Sequence, residues 1–312
     1  MKLYFAPLEG ITTCVYRSVH ASYFGHCDAY YAPFITPSDN ERITLKTLRD
    51  ILPEKNEGQN LKVQIMSNNS ISFASFMTKI KGLGYDEINV NLGCPSGTVV
   101  KKGRGAGFLR YPDELDRFLS DIFSEADYKI TLKTRIGYES CAESDKLIKI
   151  YNNHPLGLLI VHPRIRSELY KGFPHMEILD HWYNETVNPI CYNGDIFSTE
   201  DFERIKLAYP ESDSVMIGRG AIANPAIFRE IKGGEPLKTS ELIEFTHILA
   251  DNYIKVLGSD YYTLNKLKEI WIYISMNYSD YKKLEKTVKK SNRLDDFLKF
   301  VKSLEGEVVN NL

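Results

Sequence analysis

Three observations predict an α/β protein, a (β/α)8 TIM barrel with a C-terminal all-helical domain. Eight short apolar runs rich in Val, Ile and Tyr recur at roughly even intervals through residues 1–235. They are apolar on both faces rather than alternating, the mark of buried parallel strands. Past Gly233-Gly234-Glu235-Pro236 only helical periodicity remains.

The strands are expected at Lys2–Ala6, Ala29–Ala32, Leu61–Met66, Glu87–Asn91, Lys129–Thr134, Leu158–His162, Pro189–Tyr192 and Ser214–Ile217. Helices fit between them. One covers 70–81, opened by Ser70, with Phe73, Phe76, Met77 and Ile80 at helical spacing. Another covers 112–123, with Leu115, Phe118, Leu119 and Ile122 on one face, and a third covers 198–208, capped at Ser198 or Thr199. Alternation of this kind suits a barrel over residues 1–235, near the usual size for the fold. Residues 236–312 carry three apolar stripes: Leu242, Phe245, Ile248, Leu249; Leu264, Leu267, Ile270, Trp271, Ile274; and Leu294, Phe297, Leu298, Val301. Such stripes are the core of a small helical bundle.

Bulk composition narrows the function classes. The 312 residues are 43% hydrophobic and 26% charged, as in an ordinary globular protein. No apolar stretch is long enough to span a membrane, and the opening Met1–Pro7 is broken too soon for a signal peptide. Cys14, Cys27, Cys94, Cys141 and Cys191 are an odd set without a Cys-x-x-Cys pair, which argues against a disulfide framework and against a zinc site. No metal is expected, and the reducing cytoplasm is the expected compartment. A net charge of −2 counts against a dedicated nucleic-acid binder, so any such contact must come from a local patch.

In this fold the active site forms at the C-terminal ends of the strands. Seven of the eight predicted ends are polar or Gly-rich: Pro7-Leu8-Glu9, Gln64, Asn91 with Cys94, Lys133 with Arg135, His162 with Arg164 and Arg166, Asn193-Gly194-Asp195, and Gly218-Arg219-Gly220. The last two resemble a phosphate site, which such barrels commonly place after strands seven and eight; tight turns alone would also need the glycines. A Lys inside an apolar run is costly to bury unpaired, so Lys133 is either a structural ion pair or a contact for an anionic or carbonyl-rich ring. His162 is read equally as a satisfied core His or a ligand. A lone Cys is ordinarily a small buried hydrophobe, but Cys94 closes a strand at Pro95, among these other strand-end groups.

Taken in order, Ala6–Thr12, Asn91-Leu92-Gly93-Cys94-Pro95-Ser96, Gly103–Ala106, Lys133–Gly137, His162-Pro163-Arg164, Tyr170-Lys171-Gly172, Asn193–Ile196 and Gly218–Ala221 resemble the tRNA-dihydrouridine synthases, over most of the chain. The resemblance implies an FMN enzyme, reduced by NADPH, that reduces the C5=C6 bond of a uridine in tRNA. Carried over by position, Pro7, Leu8 and Glu9 would lie against the flavin. Gln64, Lys133 and His162 would bond its ring and ribityl chain, and Asn193, Gly194, Asp195, Gly218 and Arg219 would hold the ribityl-phosphate. Cys94 would donate the proton, Asn91 would hold the uracil edge, and Arg166 and Tyr170 would make further substrate contacts. A thiol near its unperturbed value stays mostly protonated at neutral pH and can serve as general acid. The target base must leave its stack to reach the cofactor. The chain departs from the family pattern at Thr13, Asn89 and Pro163, the last stiffening the turn before Arg164 and Arg166.

Two basic clusters are candidate tRNA contacts: Lys101, Lys102, Arg104 and Arg110 after Cys94, and Lys282, Lys283, Lys286, Lys289, Lys290 and Arg293 in the tail. Solvated helix faces give the same pattern. The protein is expected to act as a monomer. Two rivals are a flavin barrel acting on a free pyrimidine, of the dihydroorotate or dihydropyrimidine dehydrogenase type, and a non-catalytic tRNA-binding protein.

Overall fold

A computed structural model describes residues 1–37 and 48–307; positions 308–312 of the expected tail lie outside the described residues. Eight parallel strands close a barrel in chain order: β1 (Lys2–Phe5), β2 (Ala29–Tyr31), β3 (Leu61–Ile65), β4 (Glu87–Leu92), β5 (Lys129–Gly137), β6 (Leu159–Ile165), β7 (Ile190–Asn193) and β8 (Ser214–Ile217). The seam is shut by β1 on β8, where Leu3 pairs with Val215 and Phe5 with Ile217.

Helix ends follow local chemistry. Pro112 opens the helix Pro112–Ser124 with Asp113 and Glu114 in its first turn, where fixed φ and negative charge both favour a helix N-terminus. Ser198 caps Thr199–Ala208 in a reciprocal box with Asp201, as expected. The helix Ser70–Lys81 is capped by Asn69, whose side chain accepts from the Ser72 N–H, rather than opened by Ser70; the Ser70 hydroxyl donates instead to Asp121.

Two strands run well past their expected ends. β5 continues through Arg135 to Gly137, and β6 passes through Pro163 to Ile165. Arg135 pairs with His162 but Gly137 pairs with Ile165, so β6 carries an extra residue there. A bulge of this kind tolerates a residue with no N–H to donate, which is why Pro163 lies inside the strand rather than in a turn after it.

Past Leu237 the described chain is helical: Thr239–Leu257, Asp260–Ile274, Tyr281–Lys290 and Leu294–Lys302. This tail shares its core with the barrel. Phe245 packs edge-on to Tyr16 and Phe24, with centroids 5.8 and 5.1 Å away. Lys266 Nζ reaches back to donate to the Gly10 carbonyl at 2.9 Å, bracing the loop after β1. Among the described residues no helix is long and apolar enough to cross a membrane.

Candidate active site

A cleft of about 350 Å³ opens at the C-terminal ends of the strands, within the size range of small-molecule sites. It brings together Pro7, Leu8, Glu9, Asn91, Cys94, Lys133, His162, Tyr170, Asn193, Gly194, Asp195, Gly218 and Arg219. It leaves out two predicted residues, Gln64 and Arg166.

One wall is built on β4. Asn91 Oδ1 accepts from the N–H groups of Gly93 (3.0 Å) and Cys94 (2.9 Å), turning the chain so that Cys94 faces the cleft. From the other side the Ala106 N–H donates to the Cys94 carbonyl at 3.0 Å. Gly105 makes that approach possible: its φ is +54°, and a Cβ there would lie 2.9 Å from the Cys94 carbonyl oxygen. Burial pushes the Cys94 thiol above its ordinary value and Glu9 adds to this, while the Ser96 backbone, Lys133 and Arg135 pull the other way. The net result is a protonated thiol at neutral pH, the form that can give up a proton. Asn91 Nδ2 donates to Gln64 at 2.6 Å, so with its oxygen doubly occupied Asn91 retains one N–H for any ligand.

The opposite wall, from β5 to β8, is charged. Among the described residues Lys133 Nζ has no hydrogen bond or ion pair, and burial, with Arg135 nearby, pulls its ammonium down to about 8. Arg135 clamps three carbonyls, those of Gly93, Ile165 and Leu169. Arg164, named in the sequence only as following His162, is the hub. It is fully buried, forks onto Asp195 and donates to the carbonyls of Lys171 (3.2 Å) and Gly172 (2.7 Å). Its Nη1 lies 3.0 Å from His162 Nε2. A guanidinium only donates, so Nε2 must accept and the proton sits on Nδ1. Burial and the surrounding Arg135, Lys133, Arg164 and Arg219 hold His162 well below its ordinary value, in the same neutral form. Asp195 also takes a bond from Arg219. Its carboxylate is thus engaged by two guanidiniums and orients Arg219 toward the cleft.

Tyr170 stands at the rim, stacked 6.1 Å from His162 with the Arg219 guanidinium 4.5 Å above its ring. Gln64 is fully buried beneath the cleft, its carboxamide shared between Asn89 and Asn91. Arg166 turns away, over the Tyr138 ring at 5.5 Å. Sequence reasoning missed Tyr273, a cleft residue supplied by the tail. A signal existed: 266, 269 and 273 recur at helical spacing beside the apolar stripe, and Lys266 of that set also contacts the barrel.

A closed parallel barrel with a cationic, thiol-bearing cleft at its strand ends is the arrangement of a barrel enzyme. Solved structures share the fold: a variant of NCR from Zymomonas mobilis (TM-score 0.53, 11% identity, covering 76% of this chain and 88% of that one) and histamine dehydrogenase from Rhizobium sp. 4-9 (TM-score 0.54, 12% identity, covering 74% and 45%). Sequence similarity is more specific. The dihydrouridine synthase (Dus) family profile matches residues 4–305. The chain is 30% identical over 235 residues to tRNA-dihydrouridine synthase B of Vibrio vulnificus, covering 74% of this chain and 70% of that one. It is 25% identical over 289 residues to tRNA-dihydrouridine(16) synthase of Shewanella oneidensis, covering 90% of each. The chain belongs to the dihydrouridine synthase family and is an enzyme.

Proposed function

We propose that this protein reduces the C5=C6 bond of a uridine in tRNA to 5,6-dihydrouridine, with FMN held in the cleft and NADPH as reductant. The observation that carries the reading is the pairing, in one cleft, of a thiol kept protonated with an unpartnered lysine. The first is a proton source and the second calls for a carbonyl-rich or anionic ligand.

The cleft fits FMN on its own chemistry. Lys133 Nζ and the Nδ1–H of His162 are donors suited to the carbonyls and nitrogens of a flavin ring. Arg219, beside Asn193, Gly194 and Gly218, suits the phosphate, with Asp195 serving through Arg219. Pro7, Leu8 and Glu9 supply the wall beside the ring. Bound there, FMN would supply the hydride added at C6 of the uracil. Cys94 then gives its proton to C5, where negative charge develops, and the remaining Asn91 N–H is available to the base. Tyr170 and Tyr273 flank the entry with planar rings suited to an extruded base.

A tRNA substrate is favoured over a free pyrimidine by the names of the relatives and by the tail, which supplies both Tyr273 and an exposed basic helix. On this reading residues 236–312 form the tRNA-gripping domain. Lys289 is paired with Glu285, leaving Lys282, Lys283, Lys286 and Lys290 to meet phosphates. The test is to incubate the purified protein with FMN, NADPH and unmodified tRNA transcripts, then map dihydrouridine by mass spectrometry. Dihydrouridine at a defined position is expected, with no turnover of free uracil or orotate-type compounds. Turnover of the free pyrimidine alone would overturn the reading in favour of a small-molecule dehydrogenase.

A further inference from the structure

Beneath the cleft the barrel interior holds a continuous chain of neutral polar groups. Asn91 Nδ2 donates to Gln64 Oε1 at 2.6 Å, Gln64 Nε2 donates to Asn89 Oδ1 at 2.7 Å, and Asn89 Nδ2 donates to Thr131 Oγ1 at 2.9 Å. Thr131 Oγ1 in turn donates to the Ile88 carbonyl at 3.3 Å. Gln64, Asn89 and Thr131 are fully buried.

The direction of this chain is fixed at both ends. At the top, Asn91 Oδ1 faces two backbone N–H groups, those of Gly93 and Cys94, so the carboxamide cannot flip without setting its NH₂ against them. That orientation dictates that of Gln64, which dictates that of Asn89. At the bottom, the hydroxyl hydrogen of Thr131 is taken by a strand carbonyl, leaving its oxygen to accept. Every member has one allowed arrangement, and reversing any of them leaves buried groups unsatisfied.

We propose that Gln64, Asn89 and Thr131 are positioning residues for the Cys94 thiol. They lock the Asn91 carboxamide, and through it the backbone turn that aims Cys94. The inference rests on the reading of Cys94 as proton donor, and it makes a residue outside the cleft lining, Asn89, matter to the rate.

The decisive variants are Asn89→Leu, which cuts the chain, and Asn89→Asp, whose two oxygens accept from Gln64 Nε2 and from the Thr131 hydroxyl and so keep Gln64 oriented. Three quantities are read: FMN affinity by fluorescence, the single-turnover rate of dihydrouridine formation, and the rate of Cys94 alkylation by iodoacetamide, relative to Cys141 in the same protein. For Asn89→Leu the rate of dihydrouridine formation should fall by up to about 100-fold, the scale of a misplacement near 1 Å. Cys94 alkylation should rise about 3-fold or more as the thiol is released, with FMN affinity unchanged. Asn89→Asp should restore both rates. Should Asn89→Leu not fold, Thr131→Val carries the same comparison at the far end of the chain.

A loss of FMN affinity with unchanged alkylation would overturn the proposal. So would unchanged rates in Asn89→Leu, or a failure of Asn89→Asp to recover either one. If the wild-type protein makes no dihydrouridine at all, the functional reading fails; the alkylation contrast still decides the positioning claim.

Discussion

The two walls of the cleft are made of different materials. On the β4 side the polar groups are neutral, amides and backbone, and they converge on one thiol. On the β5–β8 side they are ionic, with Arg164 and Asp195 at the centre and Lys133 and Arg219 facing the opening. On the proposed reading the contrast is functional. A proton donor must stay protonated, and at Cys94 burial, with Glu9, outweighs the pull of Lys133 and Arg135. A cofactor with a phosphate and a carbonyl-rich ring needs the reverse, fixed positive charge in a partly dry site. Placing both demands in one set of residues would set them against each other, since cations beside Cys94 favour its thiolate.

Removing the charge of the β5–β8 wall should have the largest effect. Replacing Lys133 and Arg219 together with Met should weaken FMN binding by about 10²–10⁴-fold, from two charge-assisted bonds at roughly 1.5–3 kcal/mol each, as read by flavin fluorescence titration. The free protein should gain thermal stability from Lys133→Met, because a desolvated cation with no partner among the described residues is removed.

Titration separates the walls more finely. Lys133 is charged below about 8 and neutral above it. FMN affinity of the free protein should therefore be flat at lower pH and decline as pH rises through that value. The folding linkage has a definite sign. Lys133 holds its proton to higher pH when unfolded, so the unfolded chain binds more protons between about 8 and 10.5, and its contribution to stability rises with pH across that window. Cys94 behaves otherwise. On the proposed reading it works as an acid, below its pKa, which burial raises, so dihydrouridine formation at saturating FMN should decline only above the ordinary thiol value of 9.0. A decline near neutrality would mean a thiolate-forming site.

The smallest expected effects lie outside both walls. Replacing Lys282, Lys283, Lys286 and Lys290 singly with Ala should each reduce the salt slope of tRNA binding by about 0.7–0.9 where a phosphate contact is lost. Lys289, already paired with Glu285, should matter less. Filter binding across a salt series reads both.

Most of the barrel is legible in the sequence because buried parallel strands must be apolar on both faces, and their ends are marked where polar residues begin. That same rule misleads at β5 and β6. The polar Arg135 and the imino acid Pro163 look like strand ends, yet a bulge carries both strands past them. The cleft residues contributed by strand ends are legible for the same reason. Gln64 is not, because alternation along β3 cannot say how deep in the barrel a side chain stops. Arg166 is not, because the bulge redirects the residues after His162. Tyr273 stays hidden because it comes from another part of the chain, beside a stripe that reads as bundle core. Pairings such as Arg164 with Asp195 join residues far apart in sequence, and no local pattern reveals them.

The division of labour between the walls is tested most directly by Cys94→Ala, measuring dihydrouridine formed per bound FMN on unmodified tRNA. Full FMN occupancy is expected, with product formation reduced by about 10²–10⁴-fold, the usual contribution of a positioned acid. Product at the wild-type rate, or loss of the flavin along with the thiol, would contradict that division.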